Sequence, residues 1–464
     1  MSVFLDIFFV AAPLSSLYVL TSFLSGYARY AVFAAAVIVY LLIIYFLRDR
    51  VGKLIGSLLK KFESLGKKEM FVIIAVFALL TKVVFTIFFN YDGTQSGDIK
   101  IYNDIADQII STGNIHSDAI SHLYGLALHF VLFKLIKLPI HIGLFIVFFA
   151  GIAINFFSFS RLIGKEKAFF IVLLYLMMPS TVLMSFCPTH EIFIFMYVSL
   201  FLTAYNRLIG EENRTKALCW ALVCVISTVL ACFVNPGGYI IYIIMILTVL
   251  LSSITIDKKI MIVACLVLSV LCSNLISKAL NVNEYSTTIN TYTILIHGTN
   301  PESLGEQVDG YPLKQMRYYI YDHTLDFSED GFVDAAKHVL INQIKFLLTH
   351  PVNLIRLIVH KIYILWSGVH YPIELAKFYG AVDGLFYYVF LGISTLIYLF
   401  VFTIGNAYRK DGRELDSIYI SNYKLELLGV IGLTLMCIVA NKYSTYATMF
   451  AYLTAVHRAE LKQK

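Results

Sequence analysis

Apolar runs of about 18–25 residues recur along the chain and are separated by short polar, mostly basic, connections, the pattern of helices that cross hydrocarbon. The first two fall near residues 4–24 and 28–47, and a third covers 70–89. The N-terminal run has neither a basic leader nor a small-residue cleavage site, so it reads as a span. Two stretches break the pattern. Residues 119–137 are apolar but carry His122, His129, Lys134 and Lys137. Residues 351–368 carry Arg356, His360 and Lys361. Both read as helices lying along the membrane surface.

Basic residues orient the spans. The loop 48–69 holds Arg48, Arg50, Lys53, Lys60, Lys61, Lys67 and Lys68, which places it in the cytoplasm. With 119–137 on the surface, the basic clusters at 161–167, 207–216, 258–259, 409–413 and 458–464 fall on the same side. Roughly 21 of the 36 Lys and Arg then lie inside. The expectation is an all-α polytopic protein of about twelve spans with both termini inside. Its parts are two N-terminal spans with a basic loop (1–69), a core (70–278) with a first outer loop (90–140), a large outer loop (279–381) and C-terminal spans (382–464).

Composition agrees. With 59% hydrophobic and only 14% charged residues, the chain lacks the charge a water-soluble surface needs. The formal charge of +6 is spread over short loops and is no nucleic-acid footprint. The seven cysteines lie in or beside spans without metal-ligand spacing.

Candidate chemistry gathers outside. Ser96-Gly97-Asp98 opens a helix whose stripe includes Tyr102, Ile105, Ala106 and Ile109, so Asp98 and Tyr102 share a face. An Asp at a helix start is ordinarily a cap; held at a membrane face it is also placed to take a proton. Asp92 is a second acidic candidate in that loop. Cys187-Pro188-Thr189-His190-Glu191 marks another outer span end, where Glu191 either favours the helix N-terminus or joins Asp98, with His190 beside it. The link Asn235-Pro236-Gly237-Gly238 reads as hairpin punctuation. In the large loop, His297, Lys314 and Arg317, and Lys361 with Trp366 beyond them, are either solvated or interfacial side chains or a phosphate-binding set.

The layout resembles the GT-C superfamily of polyprenyl-phosphate-sugar-dependent glycosyltransferases, particularly bacterial relatives of protein O-mannosyltransferases and the lipid A aminoarabinose transferase. Asp98 and Tyr102 match an acidic residue and a Tyr after an early span, Tyr124 matches a Tyr-containing turn, and Glu191 matches a later acidic span start. His297–Gly305, His350-Pro351, Lys361 and Trp366 resemble the large-loop region. The likeness covers roughly residues 70–370. Departures are the two spans before the Asp98 loop, where the family usually has one, a single acidic residue at Gly97-Asp98, and Asn235-Pro236 in place of an Arg-Pro turn.

The resemblance implies transfer of a sugar, with inversion, from a polyprenyl-phosphate donor to an extracytoplasmic glycan, cell-wall polymer, glycolipid or protein. Asp98 is then the general base, with Glu191 as its catalytic partner. Tyr102, His190 and Asp92 serve the acceptor, and Lys314, Arg317, Lys361 and His297 hold the donor phosphate. The enzyme would sit in the bacterial cytoplasmic membrane among its lipids, with its site outward and no nucleic-acid partner. No cofactor is required; without an Asp-x-Asp motif a divalent metal is not demanded, though some relatives use one. The alternatives are a polysaccharide polymerase or ligase working through Arg317 and His323, and a lipid-linked-sugar flippase or transporter. A transporter would carry ionisable groups in mid-span and internal repeats; the clear mid-span instances are few, Asp6 and Lys82, and no repeat is seen, which favours an enzyme.

Overall fold

The computed structural model describes residues 2–21, 25–89, 97–113, 124–186, 190–234, 236–279, 284–304, 311–323, 328–366, 373, 376–377, 382, 384–407, 418–436 and 447–459. Among these the chain is helical, with no β-strand. In chain order the helices are α1 (Ser2–Leu20), α2 (Gly26–Glu63), α3 (Lys67–Phe89), α4 (Gly97–Thr112), α5 (Tyr124–Leu135), α6 (Ile140–Leu162) and α7 (Lys165–Leu176). A short α8 (Pro179–Met184) leads to α9 (His190–Gly210), α10 (Arg214–Val234), α11 (Ile240–Leu251) and α12 (Ile256–Ala279). The region 279–381 supplies α13 (Glu284–Thr299), α14 (Tyr311–Asp322), α15 (Glu329–Thr349) and α16 (Pro351–Trp366). The chain ends with α17 (Gly384–Ala407), α18 (Ile418–Met436) and α19 (Thr448–Arg458).

Six of the described helices are long and apolar enough to cross a membrane: α3, α6, α9, α10, α12 and α17. That makes a multi-pass membrane protein, and by length it is a smaller set than the twelve spans expected from hydropathy. Shorter apolar helices run over 9–18, 26–42, 125–135 and 240–251. The helix α5, with 12 residues, reaches only about 18 Å against a hydrocarbon core of about 30 Å. The N-terminal region differs too. The expected loop beginning at residue 48 is instead helix as far as Glu63, because α2 runs unbroken for 38 residues. Nothing in that stretch breaks a helix: the only glycines inside it are Gly52 and Gly56, and no proline occurs.

At the centre of the bundle is α9, packed between α6 and α10. Its Phe193, Phe195, Phe201 and Tyr205 are fully buried, and Phe195 meets Phe148, Tyr175 and Phe450 on three neighbouring helices. A polar pair sits within this apolar core, the Asn155 amide donating to Ser199 Oγ at 2.7 Å. Outer faces are the reverse: Val72, Val76, Leu79, Val83 and Ile87 of α3 and Val263, Val267, Leu271 and Leu275 of α12 point away from the protein. Such stripes are stable where hydrocarbon surrounds them.

The region 279–381 packs on itself where described. Ile296, Met316, Ile320, Ala335 and Ala336 join α13, α14 and α15 in a small core of their own. The N-terminus of α15 is capped, with Gly331 N–H donating to Ser328 Oγ at 3.3 Å and Glu329 and Asp330 in its first turn.

Candidate active site

The site forms where α9 begins. Asp98 is the second residue of α4, one helical turn before Tyr102, as the spacing predicts. Its side chain, like those of Tyr124 and Trp366, lies outside the described residues, as do Asp92 and residues 187–189 altogether. Tyr102 is described and is 2% exposed. Its ring meets the His190 ring edge-on, with centroids 5.7 Å apart. That contact brings the Asp98 helix to the end of α9 that carries Glu191, itself only 2% exposed. A carboxylate buried to this degree keeps its charge only if polar or cationic groups surround it.

Two devices hold α4 there. The helix α5 packs along it, and Lys134 of α5 pairs with Asp107 at 2.6 Å and donates to the Asn103 carbonyl at 3.3 Å. In turn α5 is pinned to the bundle through His129. Its Nδ1 lies 2.6 Å from the Gly125 carbonyl, its Nε2 meets the Tyr197 hydroxyl, and its ring lies 4.4 Å from that of Phe193. A carbonyl only accepts, so Nδ1 carries the proton and Nε2 accepts from Tyr197. Burial lowers the His129 pKa, with the Gly125 carbonyl opposing, so the imidazole stays neutral. Gly125 lets this happen: a Cβ there would lie 2.1 Å from the Phe233 carbonyl oxygen of α10.

Lys82 was legible in the sequence only as a mid-span charge. It is 7% exposed, donates to the Ser185 carbonyl at 3.0 Å and lies 3.3 Å from the Phe186 ring centroid. Ser185 and Phe186 are the last described residues before α9, so Lys82 is fastened to the chain that precedes it. A basic residue two-thirds along an otherwise apolar span was the available signal.

The large-region residues divide. Lys314 and Arg317 stand on the exposed side of α14. His297 is buried in α13, its ring 6.3 Å from that of Tyr311, and Lys361 is fully buried in α16. Two further buried ionisable residues, Lys424 and Glu426 of α18, escaped the sequence reading because the apolar run around them is long. Neither Glu426 carboxylate oxygen has a hydrogen-bond partner among the described residues. No group of three or more His, Cys, Asp and Glu side chains gathers among the described residues.

No family model and no curated protein matches this chain. Among solved structures it is similar to ArnT from Cupriavidus metallidurans bound to undecaprenyl phosphate, at 12% identity over 82% of this chain and 76% of that one, with a TM-score of 0.36. It is also similar to the archaeal oligosaccharyltransferase AglB from Archaeoglobus fulgidus, in complex with an inhibitory peptide and a dolichol-phosphate. There the identity is 13% over 85% of this chain and 56% of that one, with a TM-score of 0.37. Likenesses this loose leave the function to be read from the chain's own residues.

Proposed function

We propose that the chain is a membrane glycosyltransferase that moves a sugar from a polyprenyl-phosphate donor to a hydroxyl acceptor at the α4–α9 junction. The observation that carries this reading is the Tyr102–His190 contact, which brings the Asp98 helix to the start of α9, where Glu191 is buried. The resemblance of Asp98, Tyr102 and Glu191 to the GT-C pattern supports the same reading.

In this mechanism Asp98 takes the proton of the acceptor hydroxyl as its oxygen attacks the anomeric carbon. The bond to the lipid phosphate breaks on the opposite face, inverting the centre, as in inverting glycoside hydrolysis with the acceptor in place of water. Glu191 orients the acceptor and, as a second negative charge, raises the basicity of Asp98. Tyr102 and His190 form the wall beside them. Negative charge grows on the departing phosphate, and a cation held in a poorly solvated place stabilises it most. Lys82 and Lys361 are buried cations; Lys314, Arg317 and His297 complete the donor side from the large region. The lipid tail needs no aqueous path, since it stays in hydrocarbon while the sugar-phosphate reaches the outer surface.

The test uses the full chain in proteoliposomes with an undecaprenyl-phosphate hexose labelled in the sugar, scoring label that leaves the lipid fraction. Asp98→Asn should cut transfer by about 10²–10⁴, the usual contribution of a general base, while binding of undecaprenyl phosphate is retained. Transfer at near wild-type rate would remove Asp98 as the base. If Arg317→Ala alone abolished transfer, a polymerase or ligase chemistry would take its place.

A further inference from the structure

At the far end of α9, a helix of 21 residues and about 30 Å that carries Glu191 at its start, lies a cavity of about 250 Å³ with a different chemistry. Its lining includes Ser158, Arg161, Asn206, Arg207, Glu211 and Tyr419. The floor is fixed by hydrogen bonds among buried groups. The Asn206 amide donates to the Tyr419 carbonyl at 3.2 Å and accepts from Asn422 at 2.7 Å, and the Ser158 and Tyr423 hydroxyls lie 2.8 Å apart. Over this floor stand two guanidiniums, and neither has a carboxylate partner among the described residues. Arg207 is held instead against the Trp220 face, 5.9 Å from its centroid, and it feels the like charge of Lys67. Glu211 lies in the same lining without forming an ion pair with either, and it accepts from the Asn213 N–H at 3.2 Å.

A bias of basic residues toward one membrane face explains why arginines occur here. It does not explain why two of them line one cavity over a satisfied polar floor, in excess of its single carboxylate and with no ion pair to it. Cations in excess of the carboxylates around them are stabilised by an anion, and the planar guanidinium fork matches phosphate oxygens two at a time. Gly210 adds to the fit. A Cβ there would come within 2.7 Å of the Tyr419 hydroxyl, so glycine lets that side chain close one wall.

We propose that this cleft is a phosphate site with Arg161 and Arg207 as its ligands, separate from the chemistry at the other end of α9. The phosphate comes either from an anionic lipid headgroup at that membrane face or from solution.

The test is native mass spectrometry of the full chain in detergent with phosphatidylglycerol or phosphatidylcholine added, and thermal unfolding with inorganic phosphate. Wild-type protein should retain phosphatidylglycerol at least tenfold better than Arg161→Gln/Arg207→Gln, with phosphatidylcholine not discriminating; that outcome assigns the lipid source. Stabilisation by inorganic phosphate, absent in the same variant and without selective lipid retention, assigns the soluble source. Lys60→Gln/Lys61→Gln, which removes two exposed positive charges elsewhere, should match wild type in both assays. Arg161→Lys/Arg207→Lys keeps the charge that orients the spans and guards against misfolding, yet should lose at least threefold because an ammonium lacks the fork. The proposal is overturned if the control loses as much as the Gln pair, if the Lys pair binds as wild type does, or if no ligand distinguishes the Gln pair.

Discussion

The two ends of α9 carry opposite electrostatics on one rigid rod. At its start, where Tyr102 meets His190, the Glu191 carboxylate is almost wholly buried. At its end guanidiniums ring an open cleft over a hydrogen-bonded floor. Burial is what separates them. A desolvated carboxylate acts strongly on the groups beside it, which suits tuning a neighbouring base. A solvent-reached guanidinium never loses its proton and suits only binding. One helix can thus hold a reactive end and a holding end, and the substitutions that disturb them should separate cleanly.

The largest separation is expected from Glu191→Gln, which keeps the shape and removes the charge. In the labelled-donor assay transfer should fall about 100-fold, close to 2.7 kcal/mol in the barrier, with undecaprenyl phosphate still bound. Arg207→Gln at the opposite end should leave transfer unchanged. If Glu191→Gln transferred normally and only melted earlier, Glu191 would be a packing residue and the contrast between the ends would be structural alone.

A second contrast concerns how tightly each end is built. Gly125→Ala would drive a methyl into backbone, 2.1 Å from the Phe233 carbonyl oxygen and 2.8 Å from Val234 Cα, so α5 must move off α10. The expected cost is about 1–3 kcal/mol, read as a lower unfolding temperature in detergent. Gly210→Ala meets only the tip of Tyr419, which can swing aside, so it should cost less. Equal losses would mean that the cleft end is as constrained as the site end.

These features differ in how far they could be read from the chain. The pairing of Asp98 with Tyr102 on one face follows from helical spacing, and the surface reading of the stretch around His129 from its His and Lys residues. Periodicity is local, and so is hydropathy. The Tyr102–His190 contact joins residues 88 positions apart and depends on how α4 and α5 settle on the bundle. Lys82 was visible as a charge, but its reach to Ser185, 103 positions on, was not. The run 418–436 is apolar enough that Glu426 passed as one residue of a span; only its burial distinguishes it. Six of about twelve expected spans are long, apolar helices among the described residues, and length is the reason some others are not. Hydropathy registers apolar length whether or not the helix is continuous, and α7 with α8, or α11, are apolar stretches too short to cross. In α2 the error ran the other way, since basic residues at 48–61 are good helix formers and extend the helix where charge alone suggested a loop.

The smallest effect belongs to His129, the pin between the two halves of the site wall. Its native pKa lies below the ordinary value near 6.5 because burial disfavours the charged ring. The unfolded chain therefore binds this proton at a higher pH than the native one. Above about pH 6.5 the ring is neutral in both states and contributes no slope. As pH falls below that value the unfolded state takes up the proton first, and stability is lost at no more than about 1.4 kcal/mol per pH unit until the native ring also titrates. Protonation would put a hydrogen on Nε2, where the Tyr197 hydroxyl now donates, so the loss has a structural expression at the α5–α9 contact. Unfolding temperatures at pH 7 and pH 5.5 should differ more in wild-type protein than in His129→Asn. Equal pH dependence in the two would show that His129 is not held neutral by the fold, and that α5 is fastened chiefly by the Lys134–Asp107 pair.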